Sequence, residues 1–419
     1  MSTSTIAAPK YNIKPKTTFE TLSDLEKAIV THYLITKHKI YKKEAEKIIH
    51  EKLNLEKFEE PVTAYNPQQI NIFDIESFPF HGPEPGEEKF TFIDLFAGVG
   101  GFRMAMQANG GRCLFSSEWD SNSQKTYFAN YGEVPFGDIT KEQVKAFIPQ
   151  KFDLLCGGFP CQPFSLAGVS KKNSLGRSHG FADEKQGNLF FHIADILERF
   201  RPKAFFLENV KNLVSHDKGN TFKVIKNTLL DLGYSFDSRV IDGKYFVPQH
   251  RERTLMVGFD KSVFGENICF DFDSIQLPEA SHKAISILEP EVDPKYTLSD
   301  KLWNYLQEYA KKHKLKGNGF GFGLVNLESI TRTMSARYHK DGAEILIPQA
   351  GGNPRRLTPK ECAALQGYPI YPINTEDAKY SFRIPVSDTQ AYRQFGNSVV
   401  MPLIRAVGVK INEKLTKKK

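Results

Sequence analysis

The chain has 419 residues, 40% hydrophobic and 25% charged, with a formal net charge of +7. That length allows a large core and more than one domain. No apolar run reaches membrane-spanning length, the polar start lacks a secretory core, and five scattered cysteines without CxxC spacing suggest neither a disulfide framework nor a zinc site. We read a cytoplasmic protein with free thiols and no membrane partner. Its mild basicity permits a polyanionic partner without demanding one.

Residues 1–20 read as disordered. Ser23 and Glu26 form a capping box for a helix through about Thr36. A second helix near 41–53 places Ala45, Ile48, Ile49 and Leu53 on one face. The Pro/Gly-rich stretch "FPFHGPEPGEEK" at 78–89 is a linker, which sets a domain boundary near 88. The two helices read either as an accessory arm packed on the main domain or as a small DNA-binding regulator. The arm is the preferred reading.

Beyond the linker, strands at 90–96, 112–118, 152–157, 204–209, 234–241 and 253–259 alternate with helices at 101–109, 121–131, 187–200 and 219–232. This predicts a doubly wound, mostly parallel α/β sheet over 89–261. The alternation breaks down after about 260. The stretch 262–350 is irregular and reads as a separate smaller domain, extended to 385. Residues 386–419 return to a strand-then-helix pattern and are expected to pack back on the sheet.

"FTFIDLFAGVGGFR" at 90–103 is a strand, a glycine turn and a helix. Gly98, Gly100 and Gly101 let the backbone turn and approach a ligand closely. Glu118, twenty residues after Gly98, ends the second strand, where an acidic side chain can bind both hydroxyls of a ribose. Trp119 offers a face for adenine, and Asp138 in "GDI" an acceptor for its amino group. The turn lacks the third glycine of GxGxxG, and there is no GxxxxGK[ST]. An adenosine-containing ligand without a pyrophosphate fits better, and S-adenosylmethionine is the obvious one. A tight turn with no ligand is the ordinary reading of such glycines taken alone.

Cys161 in "GGFPCQPFS" follows the strand at 152–157, held between Pro160 and Pro163. Glu208 ends the next strand in "FFLENV". Both therefore sit at the carboxyl edge of the sheet, where ligands bind. Glu208 should be desolvated, with a raised pKa that lets it donate a proton. In "QHRER", Gln249, Arg251 and Arg253 alternate and share one face, so two guanidinium groups point together. Singly, a cysteine is more often inert core, a Glu-Asn pair a helix cap, and two arginines surface charge. Together, a thiolate, a proton donor, a cation and a methyl sulfonium suit methylation of a pyrimidine carbon. The thiolate adds at C6 of cytosine, N3 is protonated, C5 takes the methyl group, and loss of the C5 proton releases the thiol.

The chain resembles the DNA cytosine-5 methyltransferases. The motifs "FIDLFAGVGGFR", "EWD", "GDI", "GGFPCQPFS", "ENV", "QHRER", "RRLTPKECAALQGYP" and "QFGNSVV" stand in the family order. The resemblance implies that Cys161 is the nucleophile, that Glu208 engages N3, and that Arg253 reaches the base oxygen with Arg251 in the same cluster. It implies cofactor contacts at Phe96, Gly98, Gly100, Glu118, Trp119, Asp138, Ile139, Pro160, Asn397 and Val399. DNA contacts are expected at Ser165, Gln249, Arg332, Thr333 and Arg337, with target choice in 262–350. Cys156 has no family role and reads as strand core. The runs "KGNGFGFGLV" and "SITRTMSARYHKDGAEILI" resemble the Dcm type, whose members methylate sites such as CCWGG or CCNGG. A monomer acting on double-stranded DNA, with a restriction endonuclease acting separately, is the implied setting. Amino-methylating enzymes would show [DNS]PP[YFW], and the tRNA-directed relatives Cys-Phe-Thr; neither occurs.

Overall fold

The computed structural model describes residues 19–52, 78–160, 189–279, 281–317 and 321–416. The expected disordered start up to residue 18, Leu53, Cys161, Ser165 and the middle of the "KGNGFGFG" run lie outside the described residues.

Six strands form the main sheet: β1 (Phe90–Leu95), β2 (Gly111–Ser117), β3 (Leu154–Gly158), β4 (Ala204–Val210), β5 (Asp237–Asp242) and β6 (Glu252–Phe259). Their order is β2-β1-β3-β4-β6-β5. The first four are parallel, and β6 runs antiparallel to both neighbours. β1 lies between β2 and β3, so the chain leaves β1 on one side and returns on the other. Such a switch point opens a crevice at the carboxyl ends.

Period-two alternation divides the strand residues between two cores. Ile93, Leu155, Phe205 and Leu207 pack on the face covered by α1 (Asp24–Thr36), α2 (Lys39–Lys52), α5 (Leu189–Phe200) and α6 (Asn220–Asp231). Phe92, Leu154, Cys156 and Phe206 pack on the other, against α3 (Gly101–Gln107) and α10 (Met401–Thr416). Both faces being covered explains why these strands read as continuous apolar runs. The α4 helix (Ser121–Tyr131) is capped by Asp120, which accepts from the Ser123 amide at 2.8 Å.

The N-terminal helices sit on this core. Ser23 and Glu26 form the expected capping box. Further along α1, buried His32 bonds the Ala28 carbonyl and stands 3.2 Å from both the Ser116 amide and Glu133. Tyr41 of α2 donates to the Leu114 carbonyl at 2.7 Å. The apolar faces of both helices are therefore covered by β2 and its surroundings.

Three expectations after residue 260 need correction. Residues 300–315 form a helix, α7 (Asp300–Leu315), capped by Ser299. Leu302, Trp303, Leu306, Ala310 and His313 form its inward face, with Leu306 buried, a helical spacing that the irregular reading of 262–350 passes over. The stretch 262–350 also does not stand wholly apart. Phe270, Phe272 and Ile275 belong to the sheet core, and Met334 and Tyr338 share a core with Ala97 and Val99 of the glycine turn. At the end of the chain the expected strand is a helix, α9 (Asp388–Asn397), followed directly by α10. Among other described elements are α8 (Pro359–Leu365), which has its own capping box, and the two-residue strands β7 (Leu346–Ile347) and β8 (Arg355–Arg356).

Candidate active site

A cleft of ≈ 780 Å³ opens at the carboxyl edge of the sheet. Its upper wall begins where β1 ends. Phe96 and Gly98 both take the left-handed region, with φ of 55°, a conformation that a bulky residue seldom holds. The turn is tied to β2 through Glu118. One carboxylate oxygen accepts the Gly98 amide at 2.8 Å, and the other accepts the Asp120 amide at 2.8 Å. Each oxygen keeps a further acceptor position. Burial pushes the Glu118 carboxyl up, with the two amides opposing. Next to it Trp119 is 80% exposed. A large indole left this open suits a planar ligand ring better than it suits water. Asp138, Ile139, Pro160, Asn397 and Val399 complete the lining. An acceptor for hydroxyls, an open aromatic face and a close-approach turn fit an adenosine-sized ligand.

Gly100 does not line this cleft. Its φ is 86°, and a Cβ there would lie 2.3 Å from the Tyr131 ring. The residue serves the packing of α3 on α4, and its carbonyl accepts from the Tyr131 hydroxyl at 2.8 Å.

The floor carries the charged pair. Gly158 and Glu208 are register partners on β3 and β4. Glu208 is 8% exposed and accepts from Arg253 Nε at 2.9 Å. Burial raises its pKa from the ordinary carboxylate value, against Arg253 and then Arg251. Sequence reasoning missed its neighbour Asn209, although "ENV" contains it. Buried Asn209 donates to the Phe159 carbonyl at 2.8 Å, and so holds the backbone two residues before Cys161.

Two expected site residues have other duties. Gln249 is fully buried: its amide donates to the Leu365 carbonyl at 3.2 Å and accepts the Met334 amide at 3.0 Å. Both ends of its amide are thus engaged by the protein. Arg251 borders the cleft but does not present its charge there beside Arg253. Its guanidinium donates to the carbonyls of Met334, Gly396 and Ser398. Burial, then the Arg253 charge, pushes its pKa down to about 9. Alternation did put both arginines on one face, but only the backbone around Arg251 shows which one is free to act.

Arg332 and Arg337 are exposed, and Thr333 is half-buried with its hydroxyl donating to the His250 carbonyl. A Cβ on Gly323 would lie 2.2 Å from the Glu344 carbonyl oxygen, so this glycine lets two segments of the protein pack closely.

The family model for C-5 cytosine-specific DNA methylases matches residues 90–413. The DNA-cytosine methyltransferase of Escherichia coli (strain K12) is 46% identical over 389 residues, covering 80% of each chain. The Type II methyltransferase M.HpaII of Haemophilus parainfluenzae is 45% identical over 379 residues, covering 85% of this chain and 96% of its own. Among solved structures, the S. pombe Dnmt2 methyltransferase matches with a TM-score of 0.57 at 16% identity, over 78% of this chain and 98% of its own, a likeness of fold. These relatives give no support to the rival reading of a regulator. No described helix is long and apolar enough to cross a membrane.

Proposed function

The chain belongs to the C-5 cytosine-specific DNA methylases, and from that premise we propose how its residues divide the reaction. The enzyme methylates cytosine in DNA at C5 and uses S-adenosylmethionine. When bound, the cofactor supplies an electrophilic methyl carbon. Glu118 holds the ribose hydroxyls, Trp119 covers the adenine, and Asp138 accepts from its amino group. Phe96, Ile139, Pro160, Asn397 and Val399 shape the rest of that pocket.

Cys161 is the nucleophile, attacking C6 of the cytosine. Glu208 donates a proton or a strong hydrogen bond at N3, so that charge arriving on the ring is neutralised and C5 becomes nucleophilic. Arg253 steadies Glu208 and reaches the base oxygen. Once C5 carries the methyl group, its proton passes to solvent water and the C5–H electron pair re-forms the C5–C6 double bond, expelling the Cys161 thiolate from C6. The target carbon is stacked inside a duplex, so the base must be flipped into the cleft. The observation that carries this reading is the Glu208–Arg253 pair beside Gly158, three residues before Cys161 in the chain.

Residues 89–261 supply catalysis, 386–419 close the cofactor site from behind, and 262–385 choose the target through Arg332, Arg337 and Thr333, with Ser165 against the DNA. The site is CCWGG- or CCNGG-like. A monomer modifies it, and a separate restriction endonuclease recognises the same site; the Type II names of relatives support that setting. The test is covalent trapping on a duplex with 5-fluorocytosine at the target, where fluorine blocks the final elimination. We expect an adduct at Cys161 that Cys161→Ser abolishes while still binding cofactor and DNA. An adduct at Cys156, or full activity of Cys161→Ser, refutes the assignment.

A further inference from the structure

Three segments far apart in the chain meet at one side chain. Arg251 Nη1 donates to the Met334 carbonyl at 2.8 Å, and Nη2 donates to the carbonyls of Gly396 at 2.8 Å and Ser398 at 2.7 Å. Met334 directly follows Arg332 and Thr333. Ser398 lies between Asn397 and Val399 at the cofactor cleft. Two residues further along the strand, Arg253 holds Glu208.

The contact is continuous. The His250 amide donates to the Thr331 carbonyl at 2.9 Å, and the Thr331 amide to the Pro248 carbonyl at 2.8 Å. Gln249 accepts the Met334 amide. Where the 331–336 segment meets α9 there is no slack, because a Cβ on Gly396 would lie 2.4 Å from the Ser335 carbonyl oxygen and 2.5 Å from the Ala336 nitrogen. Arg251 itself is 1% exposed and has no carboxylate partner among the described residues. Burying an unpaired cation is costly, and a purely structural tie could use neutral donors. What an arginine adds is a rigid planar fork that engages several acceptors in fixed relative positions.

We infer that Arg251 is a positioning residue that couples target reading to cofactor binding, by fixing the 331–335 segment, the 396–399 loop and the Arg253–Glu208 pair in one arrangement. The inference rests on the functional reading above. A shift of the target-reading segment on DNA is then passed to the cofactor loop, and by linkage each ligand alters the affinity of the other by the same factor.

The test measures S-adenosylhomocysteine affinity by calorimetry for the free enzyme, with a duplex carrying the methylated site, and with a duplex lacking it. In the wild type, the target duplex should tighten cofactor-product binding by about 5–150-fold, the usual range of such coupling, and the other duplex should not. Arg251→Lys keeps the charge but not the fork; Gly396→Ala keeps Arg251 but wedges the two segments apart. Both should bring the ratio of the two affinities, with and without the target duplex, to within about twofold of one, the spread of uncoupled sites, whatever the affinity without DNA becomes. If neither variant folds, hydrogen exchange of the wild type decides: the target duplex should slow exchange in 396–399 as well as in 331–335, and an unchanged 396–399 overturns the inference. Wild-type coupling retained in a folded variant overturns the inference, as does a parallel loss of both affinities with the coupling factor unchanged. A wild type that binds both ligands without coupling overturns the inference and leaves the functional reading intact. A wild type that binds neither takes both down.

Discussion

Glu208 Oε1 and Arg253 Nε stand 2.9 Å apart across the antiparallel β4–β6 pair, on adjacent strands at the floor of the cleft. Burial outweighs the ion pair and raises the Glu208 carboxyl pKa, against Arg253 and then Arg251. The acid form needed at N3 is present below that raised value and is lost as pH rises through it. The rate should therefore show an alkaline limb that Glu208→Gln removes, with a fall of about 10²–10⁴-fold in turnover. Arg253→Met removes the cation that lowers the pKa, so the limb should move to higher pH. A pH–rate profile whose alkaline limb survives in Glu208→Gln refutes the proton-donor role.

Glu118 joins the glycine turn to the end of β2 and faces the cleft as well. Glu118→Ala should weaken cofactor binding by about 1.5–3 kcal/mol, the range for a hydrogen bond to a charged group. Calorimetry with S-adenosylmethionine checks this. Unchanged affinity would dismiss the ribose role.

The N-terminal helices should behave as part of the catalytic body. Tyr41→Phe deletes one buried bond to the Leu114 carbonyl and should cost about 1 kcal/mol. His32→Ala strands the Ser116 amide and should cost about 1–3 kcal/mol. Burial, against the Glu133 charge, holds the His32 pKa below its ordinary value. A depressed pKa means that this stability is present above the unfolded value of about 6.5 and is lost as pH falls. Thermal unfolding of the wild type should therefore weaken toward acid partly through His32, and His32→Ala should flatten that slope. An identical slope in the variant would show that His32 contributes nothing.

Arg332 and Arg337 distinguish two kinds of DNA contact. We expect each alanine variant to cost about 1–3 kcal/mol at the target and to relax choice at one base position, as a base-reading arginine does. A phosphate contact would instead weaken all sequences alike and flatten the salt dependence. Methylation-sensitive sequencing of DNA from cells expressing each variant separates the two. Grafting 262–350 onto a related enzyme should carry the target site with it.

Local sequence was enough wherever a segment's own pattern decided its state. Ser23 and Glu26 close the first helix by themselves, and the strands from Phe90 to Phe259 are apolar because both faces of the sheet are covered. The same holds for Glu118 and Glu208, whose places at strand ends follow from where the apolar runs stop. The α7 helix is legible too, from its Ser299 cap and the 3–4 spacing of Leu302, Trp303, Leu306 and Ala310, but the glycine-rich run after it draws the whole stretch into an irregular reading. Spacing could not separate Arg253 from Arg251, or Gly98 from Gly100. Those pairs look alike along the chain and differ only in what the fold brings against them: Glu208 against one arginine and three carbonyls against the other, an open cleft beside one glycine and the Tyr131 ring beside the other. A periodicity reports which face a side chain is on. Which atoms stand opposite that face is set by contacts between segments far apart in sequence, and these exist only once the chain has folded.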